Sequence, residues 1–572
     1  MTFRYLLGVF ALAFSLPLVA QVTFSATTYP APSSATQNLS VAADIDSDGN
    51  PDLITTDGSN PQVLLWYGIG GGKFGSPEIV GNLDGSTQDV AVGDFNGDGR
   101  LDILVTTTGP TNAVDLLIND GSRTFSKKTI STPDPAGYVA VGDFNNDGKL
   151  DFALSSTDGT GAGYIRIYIG NGDGTFNIGS QLMLPKTNYY YQTTYRLMAA
   201  DLNKDGKTDL VNVFEPTTVF LNTGNATFST AQSITAPNGG TYVYGYVGDL
   251  NGDAAPDLFL TGNQFCGEGC GWIKSLDSYL NDGTGHFTLK QSVQPTGSSD
   301  SFGVLADLNY DGKLDMVFNS DGVLEYALGN GDGTFQAVQQ SVPLNGQYSD
   351  SPTQLLPHDL NNDGLMDIAS TASFSILTEL NTSAKPDCGS PNSSSLTSNV
   401  CSPAAGETVS SSFPVRAVAN GPVDIARIEE WLDGKKVYQK LLNQVRNTLT
   451  ASVGQHTLTI VAVDVLNNIA KKNFSLNVIN CPAPSTAGVH ICTPASGSTL
   501  SSPVSVNAAA TSASGTYITA MRLYVDNVAK YAISGSKLSA SVALTTGSHY
   551  LAVVAYEANG QALKSTEYIT VH

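Results

Sequence analysis

Apolar residues in this chain come in short runs, and the runs recur in a fixed order. Small residues such as Val90-Ala91-Val92 or Val139-Ala140-Val141 lead into a polar stretch rich in Asp, Asn and Gly. A second run leaves that stretch, as in Ile103-Leu104-Val105 and Leu210-Val211, and a third follows over 63–67, 114–118, 165–169, 219–221, 324–328 and 376–380. Next comes a Gly-rich turn ending in Phe, as in Gly172-Asp173-Gly174-Thr175-Phe176 and again up to Phe335, and a fourth run starts at that Phe. Short runs bounded by Gly, Asn and Asp predict strands joined by tight turns. The unit occurs seven times at about fifty residues each. Four short antiparallel strands per repeat of that length predict a seven-bladed β-propeller. Small residues suit a first strand crowded near the central axis, and the Phe positions are placed to pack between blades. The seventh unit stops after its third strand at Leu380-Asn381, whereas the chain opens with the fourth-strand pattern Val22-Thr23-Phe24-Ser25. Residues 22–29 are therefore expected to complete the seventh blade and leave no open edge strand.

The polar stretches carry the candidate chemistry. They begin at Asp44, Asp94, Asp143, Asp201, Asp249, Asp307 and Asp359, with steps of 50, 49, 58, 48, 58 and 52 residues. Each places oxygen-bearing side chains at positions 1, 3, 5 and 9 and, in six of the seven, Gly at position 6. Hard cations such as Ca2+ take six to eight oxygens at about 2.3–2.6 Å. A tightly curled loop supplies four from side chains and one from the carbonyl at position 7, and Gly permits the positive φ of the curl. The candidate ligands of the first loop are Asp44, Asp46, Asp48, Asn50 and Asp52, and of the second Asp94, Asn96, Asp98, Arg100 and Asp102. The third offers Asp143, Asn145, Asp147, Lys149 and Asp151, and the fourth Asp201, Asn203, Asp205, Lys207 and Asp209. The fifth offers Asp249, Asn251, Asp253, Ala255 and Asp257, the sixth Asp307, Asn309, Asp311, Lys313 and Asp315, and the seventh Asp359, Asn361, Asp363, Leu365 and Asp367. Asn50, Arg100, Lys149, Lys207, Ala255, Lys313 and Leu365 would act through their carbonyls. The loops are not EF-hands, because position 12 is Thr55, Val105 or Leu154 in the first three where an EF-hand needs Glu, and strands rather than helices flank them.

The motif Gly-Asp-Phe-Asn-(Gly/Asn)-Asp-Gly-x-x-Asp, with the later Gly-Asp-Gly-Thr-Phe, resembles the FG-GAP or VCBS repeat over about 22–384. The resemblance implies the propeller of integrin α-subunits and many secreted bacterial proteins. It implies Ca2+, up to seven ions, in the Asp-rich hairpins on one face of the ring, with the ligand face opposite. The fifth loop departs from the pattern, since Ala254 replaces the Gly, and a weaker or strained site is expected there.

Residues 385–400 read as a Ser-, Asn- and Pro-rich linker. Two similar segments follow, 401–480 and 481–572. Each carries a Cys-x-Pro motif (Cys401-Ser-Pro; Cys492-Thr-Pro), then has a strand with an Asp before a turn (Asp433, Asp526), then Gly-x-His (His456, His549). Alternating short strands over about eighty residues predict β-sandwiches. They resemble bacterial Ig-like modules in architecture, without the Cys-Trp-Cys spacing of antibody domains.

The six cysteines fall in local pairs, Cys266/Cys270, Cys388/Cys401 and Cys481/Cys492, and three disulfides are expected. A zinc site is the alternative; only His490, two residues before Cys492, lies near any pair. Residues 1–20 have a basic start at Arg4, an apolar core from Leu6 to Leu16 and a small residue at Ala20, the plan of a secretory signal peptide. No later segment is apolar enough to span a bilayer. The net charge of -23 argues against nucleic acid as a partner. The seven loops hold 22 of the Asp residues, so the acidity is largely what cation sites look like without cations.

Enzymatic chemistry finds little support. His286 and His358 are the only histidines in the repeats, and neither has a recognisable nucleophile partner. Non-repeat aromatic residues Tyr189, Tyr190, Tyr191 and Trp272 fall in loops expected on the face away from the cations, and aromatic faces stack on sugars and anchor proteins. Tyr242, Tyr244 and Tyr246 alternate as strand residues do. The reading is an exported, calcium-stabilised binding or adhesion module for an extracellular protein or glycan. A polysaccharide-active lyase or hydrolase on the same scaffold, and a structural envelope component, are the alternatives.

Overall fold

The computed structural model describes residues 22–30, 37–57, 60–109, 112–185, 196–237, 240–265, 272–294, 303–320, 323–340, 354–372, 375–383, 388–479, 481–513 and 516–572. The described secondary structure is strand throughout, with no α-helix. Seven four-stranded antiparallel sheets are built from the repeats. Their first strands are Gln37–Ala43, Ser86–Gly93, Ala136–Gly142, Arg196–Ala200, Thr241–Gly248, Gly303–Ala306 and Leu355–His358. Each of these lies beside the next, and the last lies beside the first, so the sheets close into a ring. In the seventh sheet the fourth strand is Phe24–Pro30, which runs antiparallel to Ser375–Asn381 with Phe24 opposite Asn381. That pairing joins the two ends of the repeat array.

Small residues at the ends of the first strands let the sheets approach one another. A Cβ on Gly93 would come within 2.5 Å of the Leu150 side chain of the third sheet, and one on Gly248 within 2.5 Å of Leu314 in the sixth. The Phe residues that open the fourth strands pack between sheets, as expected. Phe176 lies 5.9 Å from Phe95 of the preceding sheet, and Phe228 and Phe335 sit equally close to Phe144 and Phe259 (5.9 and 5.8 Å). The sixth sheet is the exception in strand length, because after Phe335 its fourth strand is only Gln339–Gln340.

Two sandwiches of one topology follow. In the first, Thr397–Ser402, Ser412–Asn420 and Gln444–Thr450 face a five-stranded sheet with Gly454–Asp464 at its centre. In the second, Gly488–Thr493, Val504–Thr511 and Lys537–Val542 face a five-stranded sheet centred on Gly547–Glu557. The expected linker of 385–400 is shorter than the composition indicates. Thr397–Val400 already pair with Ala417–Asn420, because Val400 can pack on the sandwich core. The two sequence motifs of each module meet in space. His456 Nδ1 lies 2.6 Å from Asp433 Oδ2, and His549 Nδ1 lies 2.7 Å from Asp526 Oδ2. Disulfides Cys388–Cys401 and Cys481–Cys492 tie the entry to each sandwich. Cys266 and Cys270 lie outside the described residues.

The first sandwich is seated on the ring. Asp44 N–H donates to the Pro422 carbonyl (2.9 Å), Asn420 Nδ2 donates to Asn362 Oδ1 (2.8 Å), and His358 Nδ1 lies 2.8 Å from Asp424 Oδ1. Val423 and Leu466 join the apolar core of the first two sheets, and Leu442 joins that of the fifth and sixth. All of these contacts fall on the face that carries the Asp-rich loops.

Candidate metal centres

Each Asp-rich loop joins the first and second strands of its sheet, and all seven close in the same way. The position-1 carboxylate accepts the N–H of position 5 at 2.9–3.2 Å. Its second oxygen accepts the N–H of position 6 at 2.8–3.1 Å. The position-3 oxygen also accepts from position 5, at 2.9–3.2 Å. Position 5 accepts from the N–H of position 7 at 2.7–3.0 Å. The side chains at positions 1, 3 and 5 are thus drawn inward by the backbone, with further lone pairs still open.

Position 9 anchors the loop to its sheet. Its Oδ2 accepts the N–H of position 2 at 2.8–3.1 Å. Its Oδ1 accepts an N–H from the third strand or its end, at Gly68, Asn119, Gly170, Asn222, Asn281, Gly329 or Asn381 (2.7–2.8 Å). All seven position-9 carboxylates are fully buried. Burial pushes them up, to about 8 at Asp52 and Asp315, about 7 at Asp257 and about 6 at Asp102, Asp151 and Asp209; Asp367 stands well above the ordinary range. Burial likewise raises Asp44 and Asp359 to about 6 and Asp307 to about 7. Buried carboxylates with neighbouring carboxylates are costly as anions unless a positive charge joins them. The oxygen-only donor set fits a hard divalent cation.

The curl needs left-handed backbone at two positions. Position 6 is Gly in six loops, and in the fifth Ala254 adopts φ +62° and still donates to Asp249 at 3.1 Å. The departure at Ala254 therefore keeps the loop geometry, at a cost of about 1–2 kcal/mol for a Cβ in that region. Position 4 is left-handed in every loop, including Ser47, Lys204 and Tyr310, and nothing in those three side chains announces it.

The first loop is the one with a carboxylate at position 3, and Asp44, Asp46 and Asp48 can bring oxygens within 4.8 Å of one another. Its extra charge has a partner. Arg123, from the second sheet, lies 2.7 Å from Asp46 Oδ2 and 3.8 Å above the ring of Tyr67. In the second and fourth loops the position-7 cation folds onto position 5, with Arg100 2.5 Å from Asp98 and Lys207 2.6 Å from Asp205.

A second feature passes unnoticed in the sequence: how one loop holds the next. Asn119, Asn222, Asn281 and Asn381 donate from Nδ2 to the position-2 carbonyl of the preceding loop, at Ile45, Phe144, Leu202 and Leu308 (2.7–2.9 Å). Where the third strand ends in Gly, the Gly-Asp-Gly-Thr-Phe turn does this with backbone instead: Gly174 N–H reaches Phe95 O and Gly333 N–H reaches Leu250 O (2.9 and 3.0 Å).

Of the predicted ligand-face aromatics, Tyr189, Tyr190 and Tyr191 lie outside the described residues, and Trp272 is described only as the first residue of the strand Trp272–Asn281. Tyr242 is fully buried and donates to Asp277 Oδ2 (2.5 Å), as a strand residue packed within its own sheet. At the far end of the first strands, five residues before each loop, stand Asp89, Tyr138, Arg196 and Tyr244. The Arg196 guanidinium lies 5.1 Å from the Tyr244 ring centroid, and Asp89 Oδ2 accepts the N–H of Val139 (3.0 Å). Burial raises Asp89 and Arg196 opposes that rise. A lone Asp in an apolar strand gives no warning of this in the sequence.

The FG-GAP-like repeat matches residues 44–105, 95–154, 143–212 and 307–370, and the bacterial Ig domain matches 397–460 and 488–553. No protein of curated function matches the chain. Among solved structures, an Agrocybe aegerita lectin described for specific recognition of non-reducing terminal N-acetylglucosamine is similar, at 19 % identity and TM-score 0.40, over 54 % of this chain and 81 % of the lectin. The rhamnogalacturonan lyase YesW is similar at 15 % identity and TM-score 0.36, over 62 % and 75 % of the two chains. Fibronectin(III)-like modules of Clostridium thermocellum CbhA match at 19 % identity and TM-score 0.15, over 31 % and 94 %. Residues 44–212 and 307–370 are thus FG-GAP-like repeats, and 397–460 and 488–553 are bacterial Ig domains, in a chain whose described residues are all β.

Proposed function

We propose that this is an exported, calcium-braced binding module that engages an extracellular protein or glycan through the ring face opposite the Asp-rich loops. The observation that carries the reading is the seat of the first sandwich: Pro422, Asn420 and Asp424 occupy the loop face, so a partner has the other face to meet. On that side the Arg196–Tyr244 stack, with Tyr138 and Asp89 beside it, offers an aromatic face and polar groups of the kind that hold sugars. The cations brace the ring and do no chemistry. Seven divalent ions would remove more than half of the net charge of -23.

The test has two arms. A glycan array probed with and without Ca2+ identifies the ligand class, and Arg196→Ala with Tyr244→Ala should abolish capture. Excess chelator should lower the melting temperature, and Asp98→Ala should reproduce part of that fall. Capture undiminished in the double variant, or a melting curve indifferent to chelator, refutes the corresponding half. The half-buried Asp89 near Arg196 favours a second reading, a polysaccharide-active enzyme. Turnover of an acidic polysaccharide that disappears in Asp89→Asn would establish it.

A further inference from the structure

The sixth loop differs from its counterparts at position 1. Asp307 is buried and, among the described residues, it is the one position-1 carboxylate that also accepts a hydrogen bond from outside its own loop. The donor is Gln444 of the first sandwich, whose Nε2 lies 2.5 Å from Asp307 Oδ2. Gln444 is 3 % exposed, and its Oε1 is buried with no hydrogen-bond partner. A buried amide oxygen without a donor is costly and calls for an explanation. The neighbourhood is a packed interface: Tyr310 of the loop clusters with Leu365, Cys388 and Val418, and Arg446 sits 4.2 Å above the Tyr310 ring.

We propose that Gln444 is a member of the sixth cation site, so that a divalent ion there is held jointly by the ring and the first sandwich. This rests on the reading that the Asp-rich loops hold Ca2+. An amide oxygen is a good donor to a hard cation, as the carboxylates are. A half-turn of the terminal amide exchanges its two ends without moving the rest of the side chain, which brings the unpartnered oxygen to the loop. Binding and docking are then linked. The ion holds the sandwich on the ring, and the docked sandwich raises the affinity of that one site by the same factor.

The sixth loop also carries its own reporter, because Tyr310 is the only aromatic residue at position 4 of any loop. Tb3+ titrated into the full chain, with excitation of tyrosine, gives emission at the sixth site as the part lost in Tyr310→Phe. Gln444→Leu should weaken that component about 10- to 100-fold, the usual effect of removing a supporting group. Gln444→Glu should bind at least as tightly as the parent, and small-angle scattering should find its sandwich docked with Ca2+ and released by chelator. Equal affinity in parent and Gln444→Leu overturns the inference. So does equal weakening in both variants, which would make Gln444 only a donor to Asp307. A parent chain that binds Tb3+ without a Tyr310-dependent signal also overturns it. A parent that binds neither Tb3+ nor Ca2+ overturns the underlying reading of the loops.

Discussion

Replacing Asn281 with Ala tests whether loop-to-loop hydrogen bonds hold the ring together. Asn281 is 2 % exposed and sits at the end of the third strand of the fifth sheet. Its Nδ2 donates to Leu202 O (2.7 Å) and Pro256 O (2.9 Å), both buried, and its Oδ1 accepts from Gly283 and Gly285 (3.0 and 3.1 Å). The alanine variant leaves two buried carbonyls without a donor, at about 1–3 kcal/mol each. The turn N–H groups are closer to solvent and add less. A loss of about 4 kcal/mol is the central expectation. The assay is urea unfolding of the full chain followed by tryptophan fluorescence, to which Trp66, 2 % exposed in the first sheet, contributes. Asn281→Asp is the sharper variant. It keeps the acceptor, loses both donors and sets a charge beside two carbonyl oxygens, so it should be less stable than Asn281→Ala. Asn171→Ala, in an exposed turn where the side chain donates to Thr175 Oγ1 and accepts from Asn177 Nδ2, both exposed bonds, should stay within about 0.5 kcal/mol. Asn281→Ala within that same margin, or an aspartate variant more stable than the alanine variant, would refute the reasoning.

Ala254→Gly should raise stability by about 1 kcal/mol, since φ +62° is costly for a Cβ and not for Gly; a lower urea midpoint would contradict this. Glu379 is buried with neither oxygen hydrogen-bonded, and burial pushes it up to about 8. The folded form holds that proton more tightly than the unfolded form. Stability should therefore fall as pH rises from about 4.5 towards 8, by up to several kcal/mol. Glu379→Gln should flatten that limb, and an unchanged pH profile of the urea midpoint would count against it. In the second sandwich, Asp526 raises His549. That contribution is complete below the ordinary histidine value and is lost as pH rises through the raised one, so His549→Gln should destabilise the module more at pH 5 than at pH 9. Equal losses at both pH values would rule out the charged pair.

The Asp spacing, the strand runs and the Gly-rich turns are local, and they were legible because the loop's own hydrogen bonds fall at fixed offsets within nine residues. The match between Val22-Thr23-Phe24 and the missing fourth strand was legible for the same reason, since every complete repeat prints the same pattern. The left-handed backbone at Ser47, Lys204 and Tyr310 was not, because the loop's hydrogen bonds impose it on residues that do not favour it. Tertiary structure alone brought Arg123 to Asp46, Asn281 to Leu202, Asp89 near Arg196, and Gln444 to Asp307 across 137 positions of sequence. The seat of the first sandwich belongs to that second class. Alternating apolar residues specify a sandwich, but which surface it covers depends on Val423, Leu442 and Leu466 finding apolar cores that exist only once the ring has closed.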